Sequence, residues 1–238
     1  MSKNINKKAI IGHTGFVGSI LKKKFLKSDL YNSKNINSIY NKQYNEIICA
    51  GLSATKWFAN KFPKKDLKNI NLLIKNLKLV QCKLFILIST IDTRNNKEPY
   101  GKNRKLFEKF VKKKFKKFVI IRLPGVFGNG FKKNILFDLL NNNQITKINP
   151  KDQFQWFDVE MLSYEIQRIK KLKKFNRIIE LYSPPISNEK IIKEFPQYSN
   201  FNMGKDNIVY NYKPKGGYYK NEAFILRKIR TFIKKYVQ

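Results

Sequence analysis

The sequence predicts an α/β protein built on a doubly wound parallel sheet, with a small C-terminal lobe. Three observations predict this. A strand-like run, a glycine turn and an amphipathic helical pattern follow one another within Lys8–Leu21; short apolar runs then alternate with helical patterns as far as Tyr182; and the segments left over suffice only for a small lobe. Strands separated by helices pair as parallel neighbours, with helices on both faces and a ligand crevice at the strands' carboxyl ends.

Length and composition bound the rest. A chain of 238 residues can bury a full core, and 42% hydrophobic with 14% aromatic residues excludes an unfolded polar chain despite the charge. No apolar run has the length to cross a bilayer, and the opening Met1 to Lys8 leads into the first strand without a signal-like core, which predicts a cytoplasmic protein. Cys49 and Cys82 lie in apolar runs and are expected as core residues; with one histidine and no Cys-x-x-Cys spacing, neither a metal site nor a disulfide is expected. The formal charge of +34 comes from 50 basic residues of which only seven are Arg, and the lysines spread along most helical patterns as solvated faces. That scatter predicts no specific nucleic-acid partner and no membrane partner, only weak salt-sensitive binding to polyanions.

Taken in order, Lys8-Ala-Ile-Ile-Gly12 reads as a buried strand, and Phe16, Val17, Ile20, Leu21, Phe25 and Leu26 recur at helical spacing behind it. Between them the turn is Gly12-x-x-Gly15-x-x-Gly18. Glycines there let backbone pass close to a pyrophosphate, and a helix that starts there points its N–H groups and positive dipole end at the phosphates. A tight strand-to-helix turn without a ligand is the plainer alternative. Leu30-Tyr-Asn-Ser suits a brief second strand, Ile36 to Tyr44 only a small helix, and Glu46 to Gly51 a strand ending in a small-residue turn. Pro63 opens a helix with Leu67, Ile70, Leu73, Ile74 and Leu77 on one face, followed by the strand Leu84 to Thr90. Pro99 opens another, with Leu106, Phe107, Phe110, Val111 and Phe115 as its expected buried face, and Phe118 to Gly128 reads as the next strand. Phe154 to Glu160 returns toward the sheet, Ile178 to Tyr182 suits a late strand, and 187–195 and 221–237 read as helices, the last with Ile225, Ile229, Phe232, Ile233 and Tyr236 in a stripe.

The glycine turn, the run Glu46 to Gly51, Asn69-Ile-Asn-Leu-Leu, the Thr90–Tyr100 spacing and Arg122-Leu-Pro-Gly-Val-Phe-Gly128 together resemble the extended, atypical short-chain dehydrogenase/reductases of the NAD-dependent epimerase/dehydratase family. The resemblance implies a Rossmann-like domain over 1–125, with 159–182 returning to it, and a substrate-binding lobe from 126–158 and 183–238. It implies NAD or NADP bound by Gly12, His13, Thr14, Gly15, Phe16, Val17, Gly18, Asn32, Lys34, Ala50, Gly51, Asn69, Arg104 and Pro124. It also implies a nucleotide-sugar substrate against Arg122, Gly125, Val126 and Trp156, and is compatible with a homodimer. Trp156 and Phe157 equally suit a core between sheet and lobe.

By the same resemblance Thr90, or its neighbour Ser89, and Tyr100 are catalytic, with Arg104 in place of the family's lysine four residues after the tyrosine. A free phenol has a pKa of about 10, so the tyrosine needs a nearby cation to act as acid/base near neutrality. Arg104 shares a helix face with Tyr100 but offers a ribose a different donor geometry. The Thr90–Tyr100 connection is also short for the family. Thr90-Ile91-Asp92 differs from the Thr-Asp-Glu triplet that such dehydratases share, which favours an epimerase or reductase, with surface-polysaccharide synthesis as the implied context, and Asp92 reads as a turn or capping residue. Asn32-Ser33-Lys34 offers no acid to an adenosine ribose, and Lys34 suits a 2′-phosphate, which favours NADP. The alternative is a nonenzymatic dinucleotide-binding protein that kept the pocket and lost the chemistry.

Overall fold

The computed structural model describes residues 7–95, 97–198 and 208–237. In chain order its elements are β1 (Lys8–Ile11), α1 (Phe16–Lys24), β2 (Ser28–Tyr31), β3 (Gln43–Cys49), α2 (Lys56–Lys61), α3 (Pro63–Leu77), β4 (Gln81–Thr90), α4 (Pro99–Lys114) and β5 (Phe118–Leu123). There follow β6 (Gly125–Phe127), α5 (Ile135–Leu140), β7 (Gln153–Phe154), β8 (Trp156–Asp158), α6 (Leu162–Lys171), β9 (Arg177–Glu180), β10 (Ile186–Ser187), α7 (Asn188–Ile192) and α8 (Glu222–Val237). The chain divides into two compact units, one running through Arg122 and resuming over Met161–Ile179, the other Leu123–Glu160 and the chain from Glu180 onward.

The first unit carries a six-stranded sheet in the order β2-β1-β3-β4-β5-β9, with β1 parallel to β2 and β3, and β3 parallel to β4. Successive strand residues point to opposite faces, and both faces here are buried. Ala9, Ile11, Ile47, Cys49, Phe85, Leu87 and Ile120 join the cluster formed with Ile70, Leu73 and Leu77 of α3 and Phe107 and Val111 of α4. Phe85 and Phe115 stack with ring centroids 4.2 Å apart. Ile10, Ile48, Ile86, Val119 and Ile121, of opposite parity, are as deeply buried, and α1 packs on β1 and on α6. The strand after β2 crosses to the far side of β1, so the chain reverses direction across the sheet between β1 and β3. In open α/β sheets that reversal is where ligands bind.

In the second unit β6 pairs in parallel with β8, β7 pairs antiparallel with β10, and α8 packs on β8. Ile225, Ile229 and Ile233 form the buried stripe of α8, while Tyr236 is exposed. The Gln155 side-chain amide, itself buried, donates to Ser183 O (2.7 Å) and Tyr212 O (3.0 Å) and accepts from the Tyr212 N–H (2.9 Å). Its four-way hydrogen-bonding capacity is thereby mostly used to hold three chain segments together.

Several elements differ from the sequence pattern. Pro124 interrupts the run Phe118 to Gly128, giving two strands in different sheets. The second strand starts at Ser28, the third at Gln43, the late strand ends at Glu180 and α7 stops at Ile192. A short helix, α2, precedes Pro63 where the pattern showed none. On α4, Leu106 is exposed because Tyr100, Arg104 and Glu108, polar residues four apart, take the buried stripe with Phe107 and Val111. Leu26 lies beyond the end of α1 and is exposed.

The turn glycines do different work. Gly12 has φ +86°, and a Cβ there would lie 2.4 Å from Ala50 O; a Cβ on Gly18 would lie 2.0 Å from Gly12 O. Both are fixed by the protein's own packing. Gly15 has φ −76°, and its Cβ would meet nothing nearer than Gly12 O at 3.4 Å. Gly18→Ala should therefore lower stability by about 1–3 kcal/mol through forced separation of α1 from the turn, while Gly15→Ala should stay within about 0.5 kcal/mol of the parent. Urea unfolding of the two variants checks this, and equal losses would contradict the assignment.

Candidate active site

The carboxyl ends of β1 and β3 meet at the reversal point. Ala50 N–H donates to Ile11 O (2.8 Å), and Gly12 N–H donates to Tyr31 O at the end of β2 (2.7 Å), so three strand ends close under the turn. Helix α1 starts at Phe16 with no side-chain cap and no acidic residue in its first turn, while Lys22, Lys23 and Lys24 occupy its last. Its N-terminus thus carries no side-chain cap and no acidic residue, beside an exposed Gly15 whose Cβ would meet only Gly12 O, at 3.4 Å. That cradle suits the pyrophosphate of a dinucleotide.

His13 and Asn32 face each other across it. Burial first, and then Lys22, hold the His13 imidazole below its usual pKa, and Asn32 Nδ2 donates to Nε2 of the neutral ring (3.3 Å). Asn32 is fixed in turn: its N–H donates to Asn35 Oδ1 (2.7 Å), and its Oδ1 accepts from the Lys34 N–H (2.9 Å). The Lys34 backbone is held at the end of β2 while its side chain lies in solvent; Thr14 and Gly51 are exposed, and Ala50, Phe16 and Val17 are partly exposed.

A second cluster forms at the end of β4. The short connection folds as a 3-10 turn, Ile91–Arg94, capped by Thr90 Oγ1, which accepts from the Asp92 N–H (3.2 Å). Gly101 lets that turn lie on α4: a Cβ there would come within 2.3 Å of Asp92 O. The turn that follows Thr90 and the first turn of α4, which carries Tyr100, are thereby packed against each other. Both hydroxyls are engaged: Ser89 donates to Glu108 Oε1 (2.7 Å) and Thr90 to Asp92 Oδ2 (2.8 Å). The Tyr100 N–H, one of α4's unpaired first-turn donors, finds Asn60 Oδ1 of α2 (3.0 Å). Burial raises the Tyr100 pKa above the ordinary phenol value; Arg104 lowers it, Asp92 raises it, and Thr90 and Lys56 lower it.

Arg104 is placed differently from what the spacing implied. Its guanidinium does lie over the Tyr100 ring, 4.0 Å from the centroid. Yet it is only 1% exposed, grips Asp66 of α3 with both terminal nitrogens, and donates to Ser53 O (2.6 Å). Both terminal nitrogens are thus taken by protein, and only the buried Nε is left without a partner. Asp66, which sequence reasoning passed over, also accepts from Asn103 Nδ2 (2.8 Å), while Asn69 on the same helix is exposed. Arg122 is likewise engaged, giving Glu108 two hydrogen bonds at 3.0 and 2.7 Å from Nε and Nη2. Trp156 is 1% exposed among Phe127 and Phe154, so it is core rather than a substrate contact. Gly125 N–H donates to Gln155 O (3.0 Å), Val126 is half-buried in β6, and Pro124 begins the second unit's strand region. Burial pushes the Cys49 and Cys82 thiols up to about 12, which removes both as nucleophiles.

This architecture is the doubly wound, Rossmann-like α/β class. No family model and no curated protein matches the chain. Solved structures do. A UDP-glucose 4-epimerase from Thermotoga maritima, solved with UDP-glucose, is similar with a TM-score of 0.66 and 13% identity over 98% of this chain and 100% of that one. MoeE5, in complex with UDP-glucose and NAD, is similar with a TM-score of 0.73 and 10% identity over 96% and 97%. A dTDP-4-dehydrorhamnose reductase from Clostridium acetobutylicum is similar with a TM-score of 0.71 and 14% identity over 98% and 100%. At such identities the likeness is one of fold.

The Arg104–Asp66 pair generates a stability prediction. Asp66→Asn leaves a buried guanidinium without its counter-charge and should cost about 3–5 kcal/mol, whereas the double variant Asp66→Leu/Arg104→Met should recover most of that. Thermal melts of the three proteins decide it: a single variant that melts with the parent would show the pair to be dispensable.

Proposed function

We propose that this chain is an extended short-chain dehydrogenase/reductase, an NAD(P)-dependent epimerase or reductase of a nucleotide-activated sugar, with Tyr100 as its acid/base. The observation that carries the reading is the glycine-turn start of α1, which has no side-chain cap, in the same unit as Thr90 at the end of β4 and Tyr100 in the first turn of α4. The solved relatives of like fold include proteins named as acting on, or solved with, nucleotide-sugars, one of them with NAD.

On this reading the N-terminus of α1, with Gly15, would hold the pyrophosphate, and Gly51 and Asn32 would border the adenosine side. Bound nicotinamide would supply hydride exchange. Tyr100 gives or takes the proton on the substrate oxygen, and Thr90 holds the phenol in place. Lys34 stands where a 2′-phosphate is expected, and the absence of an acid at Asn32 favours NADP over NAD.

A nonenzymatic dinucleotide-binding protein is the second reading, favoured by one observation: Tyr100 is buried with its pKa raised, while Arg104 is tied to Asp66. Calorimetry and turnover assays separate the two. Gly15→Val should fold normally and lose NAD and NADP binding, because the added side chain fills ligand space and not protein space; retained binding would sink the pocket. Lys34→Ala should lower the NADP-to-NAD affinity ratio about tenfold, equivalent to about 1.4 kcal/mol. Tyr100→Phe should abolish turnover of UDP- or dTDP-sugars with cofactor affinity unchanged. Tight NADP binding with no turnover of any such sugar by the parent protein would select the nonenzymatic reading.

A further inference from the structure

His13 is the one histidine of the sequence, and it stands in the glycine turn a single hydrogen bond from Asn32. The Asn32 amide is fixed in the end it shows the ring. Its Oδ1 accepts from the Lys34 N–H (2.9 Å), so the Nδ2 donor is what faces His13 Nε2 (3.3 Å). A donor can face that nitrogen only while the nitrogen carries no proton. The imidazole is therefore neutral with its proton on Nδ1, and a second proton on Nε2 would set two donors against each other. The surrounding charge acts in the same direction. Lys22 of α1 opposes a positive ring, and the N-terminus of α1 adds its positive dipole end. The strand ends beneath the turn present uncharged backbone: Tyr31 O of β2, which accepts from the His13 N–H (3.4 Å), and the Ala50–Gly51 segment after β3, against which Gly12 lies.

We propose that His13 reads the 2′-phosphate of NADP: Asn32 holds it neutral in the free protein, and it takes up a proton from solvent as the phosphate enters, so that NADP binding is proton-coupled and NAD binding is not. This rests on the reading of the glycine turn as a dinucleotide site. Position 32, just past β2, is where such a site reads the 2′ oxygen of the adenosine ribose, with an acid when the cofactor is NAD. Here it holds an amide whose donor is spent on His13 Nε2, which places the ring within hydrogen-bond distance of that reading position. A ribose hydroxyl adds no charge and gives the ring no reason to leave Asn32. A phosphate dianion brings acceptors and two negative charges, enough to outweigh Lys22 and favour the imidazolium, whose Nε2–H then donates to a phosphate oxygen. Asn32 Nδ2 is freed in the same exchange. Lys34 contributes a permanent charge, whereas the charge of His13 exists only with the phosphate present and at a pH that permits it. The added affinity for NADP is therefore complete below the pKa of the free ring and is lost as pH rises through the higher value of the complex.

A single histidine makes the test direct and independent of turnover. The ring C–H signals of the untagged protein are titrated by 1H NMR alone, with saturating NAD and with saturating NADP. Calorimetry measures both affinities between about pH 6.5 and 8.5, a range in which the 2′-phosphate stays largely dianionic. The free midpoint should lie below the ordinary 6.5; NADP should raise it by about one unit, and NAD should leave it nearly unmoved. The NADP-to-NAD affinity ratio should fall about fivefold across the range. In His13→Gln, which keeps a hydrogen-bonding side chain, the ratio should be lower at the acid end and nearly flat. Asn32→Asp supplies a second reading, since an acceptor in place of the donor should raise the free midpoint by about one unit and move the preference toward NAD. A midpoint equal with the two dinucleotides, a slope that survives in His13→Gln, or a free midpoint unmoved in Asn32→Asp overturns the proposal while leaving the pocket standing. Neither dinucleotide binding at all sinks the pocket reading, and the proposal with it.

Discussion

The buried ion pair between Arg104 and Asp66 is the constraint on which the site depends. Taking two charges out of water costs several kcal/mol per ion, and only good geometry with further hydrogen bonds offsets that. Here the guanidinium is bidentate on the carboxylate, donates to Ser53 O and lies on the Tyr100 ring, leaving only Nε without a partner. These contacts tie α4 to α3 and to the segment leaving β3. Helix α2 lies between those anchors, and its position brings Asn60 to the Tyr100 N–H and Lys56 to Asp92. The same pair thus builds the frame in which Lys56 of α2 reaches Asp92.

The glycine turn rests on an equally local constraint. Gly12 and Gly18 are required because backbone meets backbone: the turn against Ala50 and Gly51, and helix α1 against Gly12 O. Close packing between those groups holds the strand ends and the helix in fixed relation. Gly15 is not needed for that contact, and its missing side chain leaves space only above the helix terminus. For the dinucleotide site proposed at this turn, walls already fixed by self-packing glycines would limit the ordering cost of binding.

How far the site was legible follows from the range of the interactions. The six strands of the parallel sheet, α1, α3, α4 and α8 are written in local periodicity and in Pro63 and Pro99 at helix starts, and they were readable within a few residues. Helix α2 has six residues and an exposed Trp57 at its second position, so it presents no apolar stripe. The buried face of α4 was misplaced around Leu106 because Tyr100, Arg104 and Glu108 count as polar in any hydrophobic pattern, although each has a partner that makes burial tolerable. Lys56 was invisible for a different reason. In a chain with so many lysines nothing local separates the one that reaches Asp92 from those in solvent. Asn69 and Trp156 were assigned from resemblance, and their placement is decided by packing that no motif encodes.

The division of labour between lysine and arginine explains the departure at position 104. Arg104, Arg122, Arg168 and Arg230 each bring two nitrogens to a carboxylate, and the first two do so at buried or nearly buried sites. A planar fork matches both carboxylate oxygens and is less strongly hydrated than an ammonium, so it is the better cation to bury. Lysines in this chain pair with acids mostly from the surface, as Lys7, Lys190 and Lys193 do. With Asp66 only 4% exposed on α3, the residue facing it from α4 has to be a fork, and a lysine there would leave one carboxylate oxygen unmet in a dry environment. Lys56 meets a different demand: itself partly exposed, it bridges the buried Asp92 and the more exposed Glu98, two separate carboxylates that a flexible ammonium can reach together. Arginine inside and lysine at the mouth is therefore the arrangement that the dielectric gradient across this site selects.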